Sequence, residues 1–444
     1  MKPRKVSVAV VSWNGRRHLE VCLPALRDQL DPGVPFEVLL LDNGSSDGTA
    51  EWVRRRHPEV RLIESGVNLG FCTGNNRLVE AAEGDAVALL NNDTRPEPGW
   101  LAALVDALAA APDDVAAVSG KIVDWTGERL DFARGVLTFD GHAFQLDYRR
   151  PLATARVPPP GSELLFACGG NMLVRRAAFR AAGGFDEDYF AYLEDVDLGW
   201  RLWLGGERVL FAPEAVVRHR SMATSDLLGN ANRGFLFERN AFLTVYKNYD
   251  DDFLARLLPA VLLTLTHRTQ TLMVQNNPGG EQLTFDPYAG LIANTARPNR
   301  EPEAPHEPVI PTSSPKIGLV QKWRGYGPRE FVRRAVRKAV RTALPAWAVD
   351  ARPPYEARLT DDRTVAQLRA VTQLLSHLDS ASAKRRRVQA RRRRCDREIF
   401  ERFPLYVVPT YPGDERLFAS AAFKAWMGDD LPVVHAAFED VMAR

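Results

Sequence analysis

The stretch FEVLLLDNGSSDGT, residues 36–49, decides the fold, because an apolar run is followed at once by a polar, glycine-rich turn. Continuous apolar runs of this length are typical of strands buried on both faces of a parallel sheet. The pattern recurs in VSVAVVSW, VRLIES, DAVALLN and VAAVSG, and helical stretches fill 15–29, 48–57, 71–83 and 98–110. This alternation predicts an α/β protein with a doubly wound, mostly parallel central sheet, followed by a mainly helical C-terminal region.

Composition places the chain among ordinary globular proteins. It has 444 residues, 45% hydrophobic and 26% charged, with a net charge of +2. Four dispersed cysteines without a CxxC pair suit reduced thiols better than disulfides or a zinc site. MKPRKVSVAVVSWNG is better interpreted as a first strand than as a signal peptide, and LLPAVLLTL is too short to span a bilayer. We therefore expect a cytoplasmic protein, soluble or peripheral at the inner face of the membrane.

The pattern divides the chain into four segments. We expect a catalytic α/β domain over 1–228, a helical extension over 229–297, a proline-rich linker over 298–316 and a basic helical region over 317–444. Within the first segment, residues 121–163 look irregular, with a proline-rich VPPPG at 157–161.

The sequence lacks the motifs of several classes of enzyme. The first strand is not followed by Gly-x-Gly-x-x-Gly, and the chain has no Walker phosphate loop, nucleophile elbow or His-Glu-x-x-His. Dinucleotide redox chemistry, phosphate-loop ATP hydrolysis and serine hydrolysis are therefore disfavoured.

Polar side chains follow the predicted strands at one edge of the sheet, where such sheets bind ligands. Asp42 ends the second strand and could accept hydrogen bonds from a base or ribose, although the residues after it also suit a turn and a helix cap. Asp93, in LLNNDT, is a hard oxygen donor suited to Mg²⁺ or Mn²⁺ on a diphosphate, although this motif taken alone favours a turn, because Asn and Asp are common in turns. His219, between two arginines, is either a packed histidine or part of an anion-binding edge.

The stretch YLEDVDLGW, residues 192–200, contains three carboxylates within four positions, at Glu194, Asp195 and Asp197. A helix N-terminus stabilises carboxylates, but capping requires only one of them. We therefore expect that one is held in a cleft as a base that deprotonates a hydroxyl group.

Taken together, these motifs resemble the family 2 glycosyltransferases, inverting enzymes with the GT-A nucleotide-sugar-binding fold. The matching pieces, in order, are VVSWNG, DNGSSDGT, NLGFCTGNN, LLNNDT, CGGNMLVRR, GGFDEDYFAYLEDVDLGWR and RHR. They cover about residues 5–225, and within the family they are most similar to the rhamnosyltransferase-like branch.

The resemblance implies a role for each matching residue. It assigns Asp195 as the catalytic base of a Glu-Asp motif with Glu194, and Asp93 and His219 as the ligands of Mg²⁺ or Mn²⁺. The residues that it places around the nucleotide sugar are Ser12, Asn14, Asp42, Asn68, Gly70, Asn91, Asn92, Gly169, Gly170 and Asn171. Asn91 replaces the first aspartate of the family's Asp-x-Asp motif, which removes one negative charge near the metal.

The implied reaction moves a sugar from a nucleotide diphosphate sugar, with dTDP-rhamnose or a UDP-sugar favoured, to a hydroxyl group of a glycan or lipid-linked acceptor. It belongs to cell-surface polysaccharide synthesis. One alternative is a non-catalytic nucleotide-sugar-binding or membrane-surface protein on the same fold, which would need neither Asp93 nor Asp195. The other is a nucleotidyltransferase, which would ordinarily have a glycine-rich loop after the first strand.

The C-terminal half contains two arginine-rich helical patterns. REFVRRAVRKAVRTAL, from residue 329, is amphipathic, and AKRRRVQARRRRCDREIF, from residue 383, is the second. They suit either a contact with an anionic membrane surface or a solvated face of packed helices. Without an aromatic stacking platform they do not indicate nucleic-acid binding.

Overall fold

A single large sheet organises the protein. The computed structural model describes residues 1–220, 230–276 and 361–442. The strands are β1 Val6–Ser12, β2 Phe36–Asp42, β3 Arg61–Glu64, β4 Ala86–Asn91, β5 Thr94–Pro96, β6 Val115–Asp124, β7 Leu130–Phe132, β8 Gly135–Leu137, β9 Ala143–Gln145, β10 Glu163–Leu164, β11 Asn171–Arg175, β12 Arg208–His219, β13 Leu405–Val407 and β14 Val433–His435.

Helices cover the sheet and form most of the C-terminal part. They are α1 Arg16–Arg27, α2 Thr49–Arg56, α3 Gly70–Ala81, α4 Trp100–Ala110, α5 Arg176–Ala181, α6 Glu194–Leu204, α7 Asn230–Asn248, α8 Asp251–Asn276, α9 Asp362–Ser376, α10 Leu378–Ala390, α11 Asp396–Arg402, α12 Asp414–Ala419, α13 Ala421–Met427 and α14 Phe438–Val441. The four helices predicted within the first 110 residues are present.

The sheet has the strand order β10-β12-β6-β11-β4-β1-β2-β3. The half formed by β4, β1, β2 and β3 is entirely parallel, and β6 also pairs with β12 in parallel. Only β11, which runs antiparallel between β4 and β6, interrupts this arrangement in the centre. The predicted α/β fold with a mostly parallel central sheet and a helical C-terminal region is therefore confirmed, and the carboxyl ends of β1, β2 and β4 meet at one edge.

Two segments differ from the sequence-based expectation. The stretch 121–163, which the sequence presented as irregular, contains the end of β6 and the short strands β7 to β10. The second arginine-rich pattern is not one helix, because the chain leaves α10 and resumes in α11. The backbone N–H groups of Arg393 and Arg394 donate instead to the carbonyl of Leu204, the last residue of α6. The linker 298–316 and the amphipathic pattern that begins at residue 329 lie outside the described residues.

The C-terminal helices pack against the helix that carries the acidic cluster. Trp200 of α6 is fully buried and donates its indole N–H to Asp396 at 3.1 Å. Phe400 contacts the ring of Trp200 edge-on, with ring centroids 5.1 Å apart. Burial of large aromatic side chains in this way contributes a few kcal/mol for each ring, about 1.5–3. The C-terminal residues therefore belong to the compact unit that holds the site.

Candidate functional site

A cavity of about 720 Å³ opens where the carboxyl ends of β1, β2 and β4 meet. Cavities of several hundred cubic ångströms with a few convergent polar groups are typical of small-molecule sites. The predicted site residues that line it are Asn68, Gly70, Asn91, Asn92, Asp93, Gly169, Gly170, Glu194, Asp195 and His219. Four others, Ser12, Asn14, Asp42 and Asn171, are not part of its wall.

Asp42 lies behind the wall with one unsatisfied carboxylate oxygen. Asp42 at the end of β2 pairs with Ser12 at the end of β1. The Oδ2 of Asp42 accepts only a long hydrogen bond of 3.4 Å, from the N–H of Ser45. Its Oδ1 is buried and accepts no hydrogen bond from the described residues. Because an unsatisfied buried oxygen costs about 1–3 kcal/mol, this atom needs a donor from outside that part of the chain.

Ser12 and Asn14 hold the loops in place. The Ser12 hydroxyl accepts a hydrogen bond of 2.9 Å from the amide of Asn92, which joins the ends of β1 and β4. Asn14 has a positive φ of 50°, and its Oδ1 accepts from the N–H of Ser46 at 2.8 Å, which joins the loop after β1 to the loop after β2.

Asn68 and Gly70 form the start of α3 on the wall of the cavity. The Asn68 Oδ1 accepts from the amide of Asn43 at 3.0 Å and from the N–H of Gly70 at 2.9 Å. Gly70 has a φ of +81°, and a Cβ there would lie 2.5 Å from the ring of Phe190. Only glycine therefore fits this position. Asn43 was not among the predicted site residues, although it follows Asp42 directly in the DNGSSDGT motif.

Asp93 and His219 are brought together by the pairing of β5 with β12. The His219 Nε2 lies 3.3 Å from Asp93, and its Nδ1 lies 3.0 Å from Asp131. Burial alone would lower the pKa of His219, but its hydrogen bonds to both carboxylates raise that pKa to about 10. Burial works in the opposite direction on Asp93, whose pKa is nevertheless lowered by the hydrogen bond and charge of His219. Asp131 was not among the predicted site residues, because it comes from the segment 121–163, which looks irregular in the sequence.

Gly169 and Gly170 let the backbone before β11 approach both sides of the cavity. The Gly169 N–H donates to Asp195 at 2.9 Å, and a Cβ on Gly170 would lie 2.7 Å from the amide of Asn91. Asn171 points the other way. It is fully buried, accepts from the Trp100 indole at 2.7 Å and donates to two backbone carbonyls, so its amide is used in holding strands together.

The acidic cluster separates into two parts. Asp197 is fully buried and pairs with Arg201 at 2.8 Å and Lys247 at 3.0 Å, so it holds α6 to its neighbours. Glu194 and Asp195 instead line the cavity. Burial raises the pKa of Asp195, although N–H groups of Gly169 and Val196 favour its charged form.

Burial and, next, the charge of Asp195 raise the pKa of Glu194 well above its usual range. One oxygen of Glu194 accepts or donates no hydrogen bond among the described residues. A proton on Glu194 therefore leaves the negative charge on Asp195.

The loop that delivers these carboxylates has a strained backbone. Phe190, Tyr192 and Leu193 have positive φ values of 63°, 71° and 64°, although none is glycine. The buried amide of Asn240 in α7 donates to the carbonyls of Tyr189, Ala191 and Tyr192 at 2.8–3.1 Å. Strain of this kind persists only where surrounding contacts fix it. No sequence signal marked Asn240, which stands in the middle of a helical pattern.

An aromatic wall also lines the cavity, and its Phe237 stacks on Tyr192 of the acidic loop with ring centroids 4.5 Å apart. Its side chains come from residues 132–166, from α7 and from the C-terminal end of the described chain. They are Phe132, Phe144, Tyr148, Phe166, Phe237, Phe438 and Met442. Sequence reasoning missed this wall because its residues are scattered and lie in short elements without periodicity.

The second arginine-rich pattern is largely used for internal contacts. Arg385 donates to the carbonyls of Tyr246 and Tyr249 at the end of α7, and Arg394 donates to Glu207 and Gly206 after α6. A membrane contact through this pattern stays a prediction, and within the described ranges no helix is both long and apolar enough to cross a bilayer.

Comparison with known proteins identifies glycosyltransferases that are similar to this chain. Residues 7–183 match the family model described as glycosyl transferase family 2. The N-acetylglucosaminyl-diphospho-decaprenol L-rhamnosyltransferase of Mycobacterium tuberculosis is 37% identical over 232 residues, which cover 48% of this chain and 75% of the relative. Glycosyltransferase AglE of Haloferax volcanii is 29% identical over 130 residues, or 29% of this chain and 40% of that protein.

Among solved structures, the mannosyltransferase PcManGT from Pyrobaculum calidifontis, in complex with GDP-Man and Mn²⁺, aligns with a TM-score of 0.41 and 19% identity. That alignment covers 66% of this chain and 84% of that protein. The rhamnosyltransferase matches at more than a third of the aligned positions and over three quarters of its own length. The chain therefore belongs to glycosyl transferase family 2, and it is a glycosyltransferase.

Proposed function

We propose that this enzyme inverts the anomeric carbon while it moves a sugar from a nucleotide diphosphate sugar to a hydroxyl group of a lipid-linked or glycan acceptor. The observation that carries the proposal is the pair of sites in one cavity. Asp195 stands on one side of the cavity, and Asp93 with His219 stands at the edge of the sheet. The first offers a base for the acceptor, and the second offers donors for a metal at the leaving group.

Asp195 has the properties of a general base. Its two oxygens accept hydrogen bonds of 2.9 Å from the N–H of Gly169 and 2.8 Å from the N–H of Val196, which fix its orientation. Its raised pKa brings it closer to the pH at which it works, which favours proton transfer. A neutral Glu194 beside it keeps the charge on the oxygen atoms that would receive the acceptor's proton.

The cavity supports a single displacement better than a covalent intermediate. Among the described residues that line it the one thiol is Cys168, whose pKa is raised well above the usual range, chiefly by burial and next by the charge of Asp195. A thiol that stays protonated is a poor nucleophile. The acceptor hydroxyl, deprotonated by Asp195, then attacks the anomeric carbon directly and inverts its configuration.

Mg²⁺ or Mn²⁺ fits the donor side of the cavity. A carboxylate and an imidazole that face each other are a reasonable pair of ligands once His219 gives up the proton that Asp93 and Asp131 stabilise, but no group of three or more ligating side chains exists among the described residues. The remaining ligands would come from the diphosphate of the donor. A bound cation supplies positive charge for the leaving diphosphate. We assign the ribose and base to the part of the wall formed by Asn43 and Asn68. Asp42, which does not line the cavity, directly precedes Asn43 and has an unsatisfied buried oxygen that suits a ribose hydroxyl or a base N–H.

The relative's name suggests the substrates. The relative is named as a rhamnosyltransferase that acts on an N-acetylglucosaminyl-diphospho-decaprenol. The analogy favours dTDP-rhamnose as the donor here, followed by UDP-sugars. It also favours a lipid-linked acceptor in cell-surface polysaccharide synthesis at the cytoplasmic face of the membrane. A non-catalytic binding protein is the alternative, and it would have no use for a buried, oriented Asp195.

The test is release of nucleoside diphosphate from a panel of nucleotide sugars, with Mg²⁺, with Mn²⁺ and with EDTA. We expect slow, metal-dependent release from one donor, abolished by Asp195→Asn and kept by Asp106→Asn, an exposed aspartate on α4. Folded protein that binds no donor, or an Asp195→Asn variant with unchanged release, would overturn the proposal.

A further inference from the structure

A second pocket, of about 210 Å³, opens beside the cavity and is rich in arginine. It shares Asp131, Tyr148 and His219 with the cavity. The residues that belong to this arginine pocket alone are Asp124, Trp125, Arg129, Leu130, Arg149 and Arg220. A group bound there would therefore be continuous with a molecule in the cavity.

The pocket has unbalanced positive charge. Three arginines line it against two carboxylates, and both carboxylates already accept hydrogen bonds, Asp124 from Thr126 and from backbone N–H groups and Asp131 from His219. The guanidinium groups of Arg129, Arg149 and Arg220 form no ion pair with a carboxylate anywhere in the described part of the chain. Three arginines that outnumber the two carboxylates of the pocket, and that form no direct ion pair with them, attract an anion.

The arginines are held in place before any ligand arrives. Arg220 lies over the ring of Trp125 at 4.2 Å, and Arg149 lies over the ring of Tyr148 at 5.4 Å. Stacking of this kind orients the planar guanidinium group and reduces the entropy that binding must overcome.

The backbone that presents Arg149 is strained, as is the loop before α6. Asp147 and Arg149 have φ values of 59° and 62°. The turn is fixed by the fully buried carboxylate of Asp147, which accepts from the N–H, Nε and a terminal nitrogen of Arg156 at 2.7–2.9 Å. Strained turns that surrounding contacts fix in this way cluster at ligand sites.

We propose that the arginine pocket binds the phosphate groups of a phosphorylated acceptor, specifically the diphosphate of a lipid-linked one. The inference rests on the proposed function, because it assigns the acceptor's charged part to a place next to the sugar site. Arginine forks match phosphate oxygens without a metal. The donor's diphosphate is assigned to the cavity, which Asp93 lines, and because His219 borders both the cavity and this pocket, the acceptor's diphosphate would lie beside it.

The experiment measures binding of inorganic pyrophosphate, farnesyl diphosphate and farnesol in EDTA, and of UDP or dTDP with Mn²⁺, by calorimetry. The test variant is Arg149→Gln with Arg220→Gln. The control is Arg386→Gln with Arg387→Gln, two exposed arginines on α10 that give the same change in charge. We expect the test variant to weaken pyrophosphate and farnesyl diphosphate by about tenfold for each arginine, with farnesol and the nucleotide unchanged. The control should match the wild type throughout.

Three results would overturn the inference. The first is equal binding of both diphosphates to the wild type and the test variant. The second is absence of farnesyl diphosphate binding while pyrophosphate binds. The third is loss of nucleotide binding in the test variant with pyrophosphate binding unchanged, which would assign the arginines to the donor. Failure of the proposed function has a different signature. In that case the wild type would bind no nucleotide, whereas arginine-dependent binding of both diphosphates would still support the anion site.

Discussion

The amide of Asn240 should determine whether the carboxylates of α6 are in position to act. Its side chain is fully buried and donates to three carbonyls of the strained loop before Glu194. The substitution Asn240→Leu keeps the approximate shape and removes both N–H donors. We expect it to lower the rate of transfer much more than it lowers the affinity for nucleotide.

The structure allows a rough magnitude. Loss of two buried donors at about 1–2 kcal/mol each predicts a fall of roughly 2–4 kcal/mol in the free energy of unfolding. Each positive-φ residue of the loop stores about 1–3 kcal/mol, which favours a relaxed loop once the amide is gone. If relaxation is favourable by about 2 kcal/mol, only some 3% of molecules keep the productive geometry, and kcat falls about thirtyfold.

The assay combines three measurements on one preparation. Urea denaturation gives the free energy of unfolding, calorimetry gives the affinity for nucleoside diphosphate, and release of nucleoside diphosphate from the donor gives kcat. The matched control is Thr264→Val in α8, which also removes a buried polar group, one that bonds only to its own helix at 2.8 Å. The control should lose about 1 kcal/mol of stability and keep the wild-type kcat.

A variant Asn240→Leu with wild-type kcat and reduced stability would refute the reasoning. Asn240 would then stabilise the protein without holding the loop in its catalytic conformation.

Two further predictions concern a glycine and a buried histidine. Gly70→Ala should destabilise the protein by about 1–3 kcal/mol and weaken nucleotide binding, because the new Cβ meets an aromatic ring at a φ of +81°. The control Gly99→Ala, which has open space around its new Cβ, should do neither. Denaturation measures the stability of both variants, and calorimetry measures their nucleotide binding. His142 lies 3.3 Å from Asp140 and 3.4 Å from Glu238, and although burial opposes it, their charges raise its pKa to about 10. The stabilising contribution of the His142 charge is complete below about pH 6.5 and is lost as the pH rises towards 10. In denaturation experiments the free energy of unfolding should therefore decline less over that range in His142→Gln than in the wild type. An equal decline in both proteins would contradict this.

The sequence predicted the fold and one edge of the site because both depend on local patterns. Continuous apolar runs identify buried strands, and polar residues directly after them must meet at the carboxyl edge of a parallel sheet. Asp93 was found in this way and Asp195 from the three carboxylates within residues 194–197, and the geometry places both in the cavity. The assignment of the chain to its family and to the glycosyltransferases is confirmed, whereas the roles of individual residues remain predictions.

The rest depended on tertiary partners that no local pattern encodes. Asn171 looks like a loop residue beside two glycines, but it begins β11, and its side chain points away from the cavity towards Trp100. Asn240 looks like an ordinary residue of α7 until the loop it holds is known. Asp197 could be separated from its acidic neighbours only by finding Lys247, which is 50 positions away and pairs with it at 3.0 Å. Contacts of this kind join distant segments and leave no periodic signal.

The central claim is that Asp195 activates an acceptor for direct, inverting displacement at the anomeric carbon. The most direct measurement is proton NMR of the sugar released or transferred from the accepted donor, recorded before the anomers interconvert. The account predicts that the first product formed has the anomeric configuration opposite to that of the donor. A first product with the donor's own configuration would contradict it, because retention requires an enzyme nucleophile or a front-face route that this assignment of Asp195 excludes.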